Sequence, residues 1–159
     1  MWSNRRQTLQ ALLVGGLGWS FSAQAAPVVL PTTDSLPAAL DDALRLRQPL
    51  VVMVSLQGCA FCKVVRENYL SPLRASGLQV VQIDMRDHRP LTDFTGNSTT
   101  QDAWIRQQRI KIAPTVLFFG AQGREVATRL NGAYLPDFYG AYLDEQLAVA
   151  RKAVQGSGA

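Results

Sequence analysis

The segment Leu50-Val51-Val52-Met53-Val54-Ser55-Leu56 is of strand length and has no alternation of polar and apolar residues. A strand with one wet face alternates, whereas an unbroken apolar run needs cover on both sides. This segment is therefore predicted as a central strand with helices above and below it. Ahead of it, Ser35-Leu36-Pro37 reads as a helix start with a capping serine and an early proline. Leu36, Ala39, Leu40, Ala43, Leu44 and Arg47 then recur at helical spacing, and the helix ends before Pro49. After the strand, Gly58 turns the chain. From Ala60 to about Leu70, Phe61, Val64, Val65 and Tyr69 fit a second helix, extended or kinked at Pro72.

Leu78 to Asp84 is predicted as another strand, and the polar segment Met85 to Asn97 is longer than a typical connection, hence functional or mobile. Ser98 or Thr99 is expected to cap a helix carrying Ala103, Trp104, Ile105 and Gln108 and ending near Arg109. Trp104 and Ile105 are expected to pack that helix on the sheet. Thr115 to Phe119, the turn Gly120-Ala121-Gln122-Gly123 and Glu125 to Leu130 read as a hairpin. Pro136 opens a last helix to about Val154, with Phe138, Tyr142, Leu143 and Leu147 on one face. The order is an α/β layer architecture: a central mixed β-sheet, parallel in its first half and antiparallel at the hairpin, flanked by helices on both faces. At 159 residues with 47% hydrophobic and 18% charged content, the chain can bury one core, which excludes low-complexity disorder.

Residues 1–25 read as an export signal outside the fold. Arg5 and Arg6 precede a short apolar stretch from Leu9 to Phe21, and Ala23-Gln24-Ala25 is a small-x-small cleavage signature. Gly15, Gly16 and Gly18 interrupt the stretch, which falls short of the roughly 20 residues of a spanning helix, so removal is expected over retention as an anchor. The paired arginines fit an ordinary secretory signal and also resemble a twin-arginine signal, although Thr8 stands where that signal has a large apolar residue. The predicted organisation is a signal over 1–25, a linker over 26–33, a folded domain over 34–154 and a flexible tail over 155–159. Setting Arg5 and Arg6 aside lowers 16 Lys plus Arg to 14 against 12 acids, a charge of +2 without any basic run. Neither a nucleic-acid footprint nor a basic membrane patch is indicated, and a periplasmic monomer is expected.

Only two cysteines occur, Cys59 and Cys62, too close together to staple distant parts of a fold. They fall at the predicted strand-to-helix junction, within bonding distance of each other. Cys59 at the helix start meets unpaired N–H groups and the positive end of the dipole, so it is the expected nucleophile, and Cys62, one turn on, the resolving thiol. Reversible dithiol exchange follows: a Cys59 thiolate attacks a substrate disulfide and Cys62 resolves the mixed disulfide. Lys63 is read as a surface cation. Two other uses of the pair stay open. Cys59 and Cys62 with His88 could form a copper- or zinc-delivery site, although His88 sits in the charged run Met85-Arg86-Asp87-His88-Arg89, and the pair could be a static disulfide. No paired carboxylates or glycine-rich phosphate loop suggest other chemistry, and no cofactor or resident metal is expected.

The strand Leu50 to Leu56 running into Cys59-Ala60-Phe61-Cys62-Lys63, followed by Ile112-Ala113-Pro114-Thr115-Val116-Leu117-Phe118-Phe119, Gly123-Arg124-Glu125 and Asn131-Gly132, resembles the thioredoxin superfamily over roughly Ser35 to Val154. The resemblance implies a thioredoxin-like fold and thiol–disulfide oxidoreductase activity. It also implies a cis Pro114 beside the cysteines, with Ala113 and Pro114 presenting backbone to an extended substrate. The signal, the Asp93-Phe94-Thr95-Gly96 insertion and the stretch Asn131 to Phe138 are similar to exported bacterial thioredoxin-like proteins, including the sulfur-oxidation-associated type. Two departures from cytosolic thioredoxin stand out. Ala60-Phe61 replaces Gly-Pro, and Met53 occupies the place of a buried carboxylate, so proton transfer from Cys62 must use water or another residue. No histidine separates the cysteines, which favours a reductase of protein or small disulfides, fed by a membrane electron donor, over a thiol oxidase working in the opposite direction.

Overall fold

The computed structural model describes residues 29–133 and 136–156. Residues 1–25, read as a signal, lie outside them, as do 26–28, Tyr134, Leu135 and the last three residues of the tail. Five α-helices are described: α1 (Leu36–Arg45), α2 (Ala60–Val65), α3 (Ser71–Ala75), α4 (Gln101–Gln107) and α5 (Pro136–Gly156). The strands are β1 (Leu50–Ser55), β2 (Val80–Asp84), β3 (Pro90–Thr92), β4 (Ser98–Thr100), β5 (Thr115–Gly120), β6 (Arg124–Glu125) and β7 (Leu130–Asn131). The main sheet runs β2-β1-β5-β6, with β7 also paired to β5. β1 is parallel to β2 and antiparallel to β5, so the sheet is mixed.

All six residues of β1 are buried, as the unbroken apolar run requires. Its side chains alternate between two cores. Val51 and Met53 join Cys62, Val65, Tyr139, Leu143 and Leu147 beneath α2 and α5. Leu50, Val52 and Val54 join Leu36, Leu40, Trp104 and Ile105 beneath α1 and α4. Trp104 and Ile105 are buried, packing α4 on the sheet. Ser35 caps α1, its Oγ accepting from the Ala38 N–H at 3.3 Å.

Several elements depart from the sequence pattern. Residues 26–33 are not a linker throughout: Leu30 is 1% exposed within the α2/α5 core, Thr32 bridges Gln82 in parallel, and the Gln82 N–H donates to Pro31 O at 2.8 Å. The chain there lengthens the β2 edge before α1 begins. Within the polar stretch 85–97 lies half of a small hairpin, β3 against β4, whose three-residue strands carry no alternation to announce them. Ser98 and Thr99 belong to β4, so the cap of α4 is Thr100, with Oγ1 accepting from the Ala103 N–H at 3.2 Å. The strand expected over 125–130 is broken. Glu125 pairs with Phe119 but Leu130 with Val116, a register change of two residues that makes 126–129 a bulge.

Between α2 and α3 the helix passes through a π-turn, Arg66–Leu70, immediately ahead of Pro72, whose missing N–H cannot continue the regular ladder. The apolar faces also differ from expectation. On α5 the buried stripe is Tyr139, Leu143, Leu147 and Ala150, while Phe138 and Tyr142 are exposed; on α2 the core takes Cys62 and Val65 and leaves Phe61 and Val64 outside. The helix α5 reaches Gly156, so residues 155–156 of the expected tail are helical.

Leu30→Ala should lower unfolding stability by about 2–5 kcal/mol in urea titration, the range for emptying a buried leucine site. A linker residue would change it by no more than about 0.5 kcal/mol.

Candidate active site

Gly58, at φ +76, turns the chain out of β1 and delivers Cys59 to the N-cap of α2 with extended backbone, φ −79 and ψ 111. There Cys59 Sγ accepts the Cys62 N–H at 3.1 Å, the contact a capping serine would make through oxygen. Cys59 and Cys62 form a disulfide with Cα atoms 5.2 Å apart. Their surroundings are unequal: Cys62 is wholly buried in the core with Met53 and Val65, whereas Cys59 is half-exposed at the end of the helix. On reduction, the exposed sulfur is the one that retains a backbone N–H and the positive helix end, both of which favour a thiolate.

Ala113 and Pro114 come to the same place from 54 residues further along, with Ala113 O 3.9 Å from Cys59 Sγ. The Ala113–Pro114 peptide bond is cis. This loop is held from both sides: Thr115 Oγ1 donates to Ile112 O at 2.8 Å, and the Gly132 N–H donates to Pro114 O at 2.7 Å. The structure thus brings Cys59, Cys62, Ala113 and Pro114 together, with the predicted Asn131-Gly132 pair supporting the loop through β7. Met53 is completely buried, so the central strand offers Cys62 no carboxylate.

A groove of about 1300 Å³, lined mostly by polar and charged residues, opens on a second flank of Cys59, and neither Ala113 nor Pro114 lines it. Its walls are the 55–60 turn, one side of α2 and its π-turn through Lys63, Arg66 and Glu67, and the end of β2 with the 85–89 loop. Arg66 is anchored by neutral groups, Nε donating to Gln82 Oε1 at 2.8 Å and Nη2 to Ser55 Oγ at 3.1 Å. Gln82 Nε2 in turn donates to the Asp84 carboxylate at 3.1 and 3.2 Å. On the loop, the Arg89 guanidinium holds Asp87 below the usual carboxylate range by donating to it at 2.7 Å. Sequence reasoning missed Ser55, Arg66 and Gln82. Arg66 lies seven residues after Cys59 on the same helical run, a spacing that could have flagged it, but nothing local links Ser55 or Gln82 to the site. His88 lines the groove as an exposed loop residue, and among the described residues no three His, Cys, Asp or Glu side chains converge on a possible metal position.

Fold and cysteine geometry define a dithiol protein built on a mixed sheet with helices on both faces. Comparison with protein families matches residues 36–147 to the thioredoxin-like domain, and the chain belongs to that family. Thiol–disulfide exchange through a Cys-x-x-Cys pair is its chemistry. Among solved structures, poplar thioredoxin h is 23% identical with a TM-score of 0.47, covering 68% of this chain and 85% of its own. The periplasmic thioredoxin SoxS of Paracoccus pantotrophus is 20% identical with a TM-score of 0.43, covering 65% of this chain and 99% of its own. A thioredoxin-fold protein from Helicobacter pylori is 16% identical with a TM-score of 0.46, covering 79% and 89%. A search of curated proteins finds no match.

Because only Cys59 is accessible, fully reduced protein treated with substoichiometric iodoacetamide at neutral pH should be labelled at Cys59 at least about tenfold faster than at Cys62, read by peptide mass spectrometry. Equal labelling would contradict the asymmetry of burial.

Proposed function

We propose that the chain is an exported reductase of disulfides, with Cys59 as nucleophile and Cys62 as resolving thiol. The observation that carries this reading is the division of labour in the pair: a half-exposed sulfur at a helix cap, 3.9 Å from the Ala113 carbonyl, backed by a wholly buried partner. The Cys59 thiolate attacks one sulfur of a substrate disulfide, forming a mixed disulfide and releasing the other substrate sulfur as a thiolate. Loss of the Cys62 proton to water or a groove residue gives a second thiolate. It attacks Cys59 Sγ, expels the second substrate thiolate and leaves the Cys59–Cys62 disulfide. Two electrons pass to the substrate, and two must be returned by a donor.

Ala113 and Pro114 are assigned the substrate backbone, since their peptide groups border Cys59 Sγ. Reduction is favoured over oxidation because no histidine stands between the cysteines; Ala60 and Phe61 supply no cation that would hold Cys59 as a permanent thiolate. Arg5 and Arg6, the apolar stretch to Phe21 and Ala23-Gln24-Ala25 support export, and a reductase in an oxidising compartment needs electrons delivered across the membrane.

Cys62→Ser, expressed with the full N-terminal segment, should accumulate discrete mixed disulfides on Cys59 in the periplasmic fraction, identified by mass spectrometry after diagonal electrophoresis. No adducts, or adducts only in the cytoplasmic fraction, would overturn the exported exchange reading. The Cys59–Cys62 couple should equilibrate with glutathione buffers at about −270 to −200 mV. A value near about −120 mV, the range of strong oxidants, would reverse the assigned direction.

A further inference from the structure

The groove on the second flank of Cys59 carries charge that no described residue neutralises. Of the carboxylates on its walls, Asp84 accepts from Gln82 and lies 3.8 Å from Arg89, and Asp87 is bonded to Arg89. Glu67 is the one wall carboxylate with no hydrogen bond or ion pair among the described residues. Of the cations, Arg89 is neutralised by Asp84 and Asp87. The side-chain charges of Lys63, Arg66 and Arg86 have no carboxylate partner among the described residues, although all three residues line the groove; Arg86 meets Asp102 only through its backbone N–H, at 3.2 Å. Arg66 spends Nε and one Nη2 hydrogen on Gln82 and Ser55, and its remaining guanidinium hydrogens have no acceptor among the described residues. With Arg89 set against two carboxylates, the groove walls carry four cations against three acids, a net charge of +1, and the three cations without a side-chain carboxylate partner start one helical turn from Cys59.

We propose that this groove is a specificity subsite for an acidic polypeptide segment flanking the target disulfide. The inference rests on the exchange chemistry assigned to Cys59 above and adds the charge of the substrate. A substrate whose disulfide lies on Cys59 Sγ has one flank at Ala113, and the other runs into the groove along Lys63 and Arg66. There, a carboxylate two or three residues from the substrate cysteine meets a guanidinium already fixed in orientation by Gln82 and Ser55. Fixing the fork beforehand lowers the entropy lost when a carboxylate binds. At about 1300 Å³ the groove exceeds the roughly 300–1,000 Å³ typical of small-molecule sites, which suits a length of chain. The subsite tunes capture of the disulfide and takes no part in electron transfer.

The test uses protein reduced in advance with dithiothreitol and freed of it. Single-turnover rates are measured with 2-hydroxyethyl disulfide and with two disulfide-bonded peptides that differ only in carrying Glu or Lys beside the cysteine. Reduction of 2-hydroxyethyl disulfide reads the exchange chemistry alone; its absence would refute the function proposed above, not the subsite. With exchange present, the Glu peptide should react about three- to tenfold faster than the Lys peptide at about 20 mM salt, the size of one or two partly screened ion pairs, and the ratio should fall towards one at about 500 mM. Arg66→Gln should bring the low-salt ratio close to one, while Arg66→Lys should keep most of it. If Arg66→Gln does not fold, Lys63→Gln in its exposed position is expected to reduce the same ratio. A wild-type ratio near one, or a ratio insensitive to salt, would overturn the proposal.

Discussion

The burial of β1 on both faces is the constraint from which the rest of the site follows. Six residues with no polar member but Ser55 can lie only in the middle of a sheet, and their alternation assigns Val51 and Met53 to one core and Val52 and Val54 to the other. Each core needs helices to close it, and α2 closes the first directly after the strand because Gly58 reverses the chain within a few residues. The first residue able to cap that helix is Cys59. Its exposure, and the burial of Cys62 one turn later, therefore come from the same packing that holds the sheet together.

A second consequence concerns charge. With Met53 in the core, the interior beneath Cys62 is apolar, and the polar groups near the pair sit instead on the groove side, where Ser55, Arg66, Gln82 and Asp84 form a connected chain of hydrogen bonds. Burying a carboxylate beneath the cysteines would cost desolvation free energy that this arrangement avoids, since its ionised groups keep contact with solvent. Proton exchange at Cys62 then depends on water or a groove residue reaching the site as the disulfide opens. The same groove gives the molecule a polar flank beside its nucleophile, opposed to the backbone flank at Ala113 and Pro114.

Much of the fold was legible because it rests on local chemistry. The cap at Ser35, the two-sided burial of β1, the turn at Gly58 and the start of α2 follow from side-chain patterning within a few residues. What was not legible depends on partners distant in the chain. Thr100, not Ser98 or Thr99, caps α4 because β3 recruits the preceding residues into a hairpin, and three-residue strands have no periodicity of their own. Phe138 and Tyr142 satisfy helical spacing as well as Tyr139 and Leu143 do; which stripe of α5 faces inward depends on where the sheet lies. Leu30 looked like linker because a single leucine carries no pattern, yet the edge of β2 gives it a core site.

The sequence by itself placed two cysteines at a strand-to-helix junction after a strand buried on both faces, because local backbone preferences and apolar patterning act over short stretches; dithiol exchange and the thioredoxin-like fold followed from the resemblance that the Ala-Pro-Thr strand entry some fifty residues later completes. Only the tertiary structure decided which groups surround that couple. Ser55, Arg66 and Gln82 become one anchored unit, and Arg89 takes up Asp84 and Asp87 while Arg66 keeps its charge free of any carboxylate among the described residues, because those pairings are made across β1, β2 and α2 by distances that no linear spacing encodes.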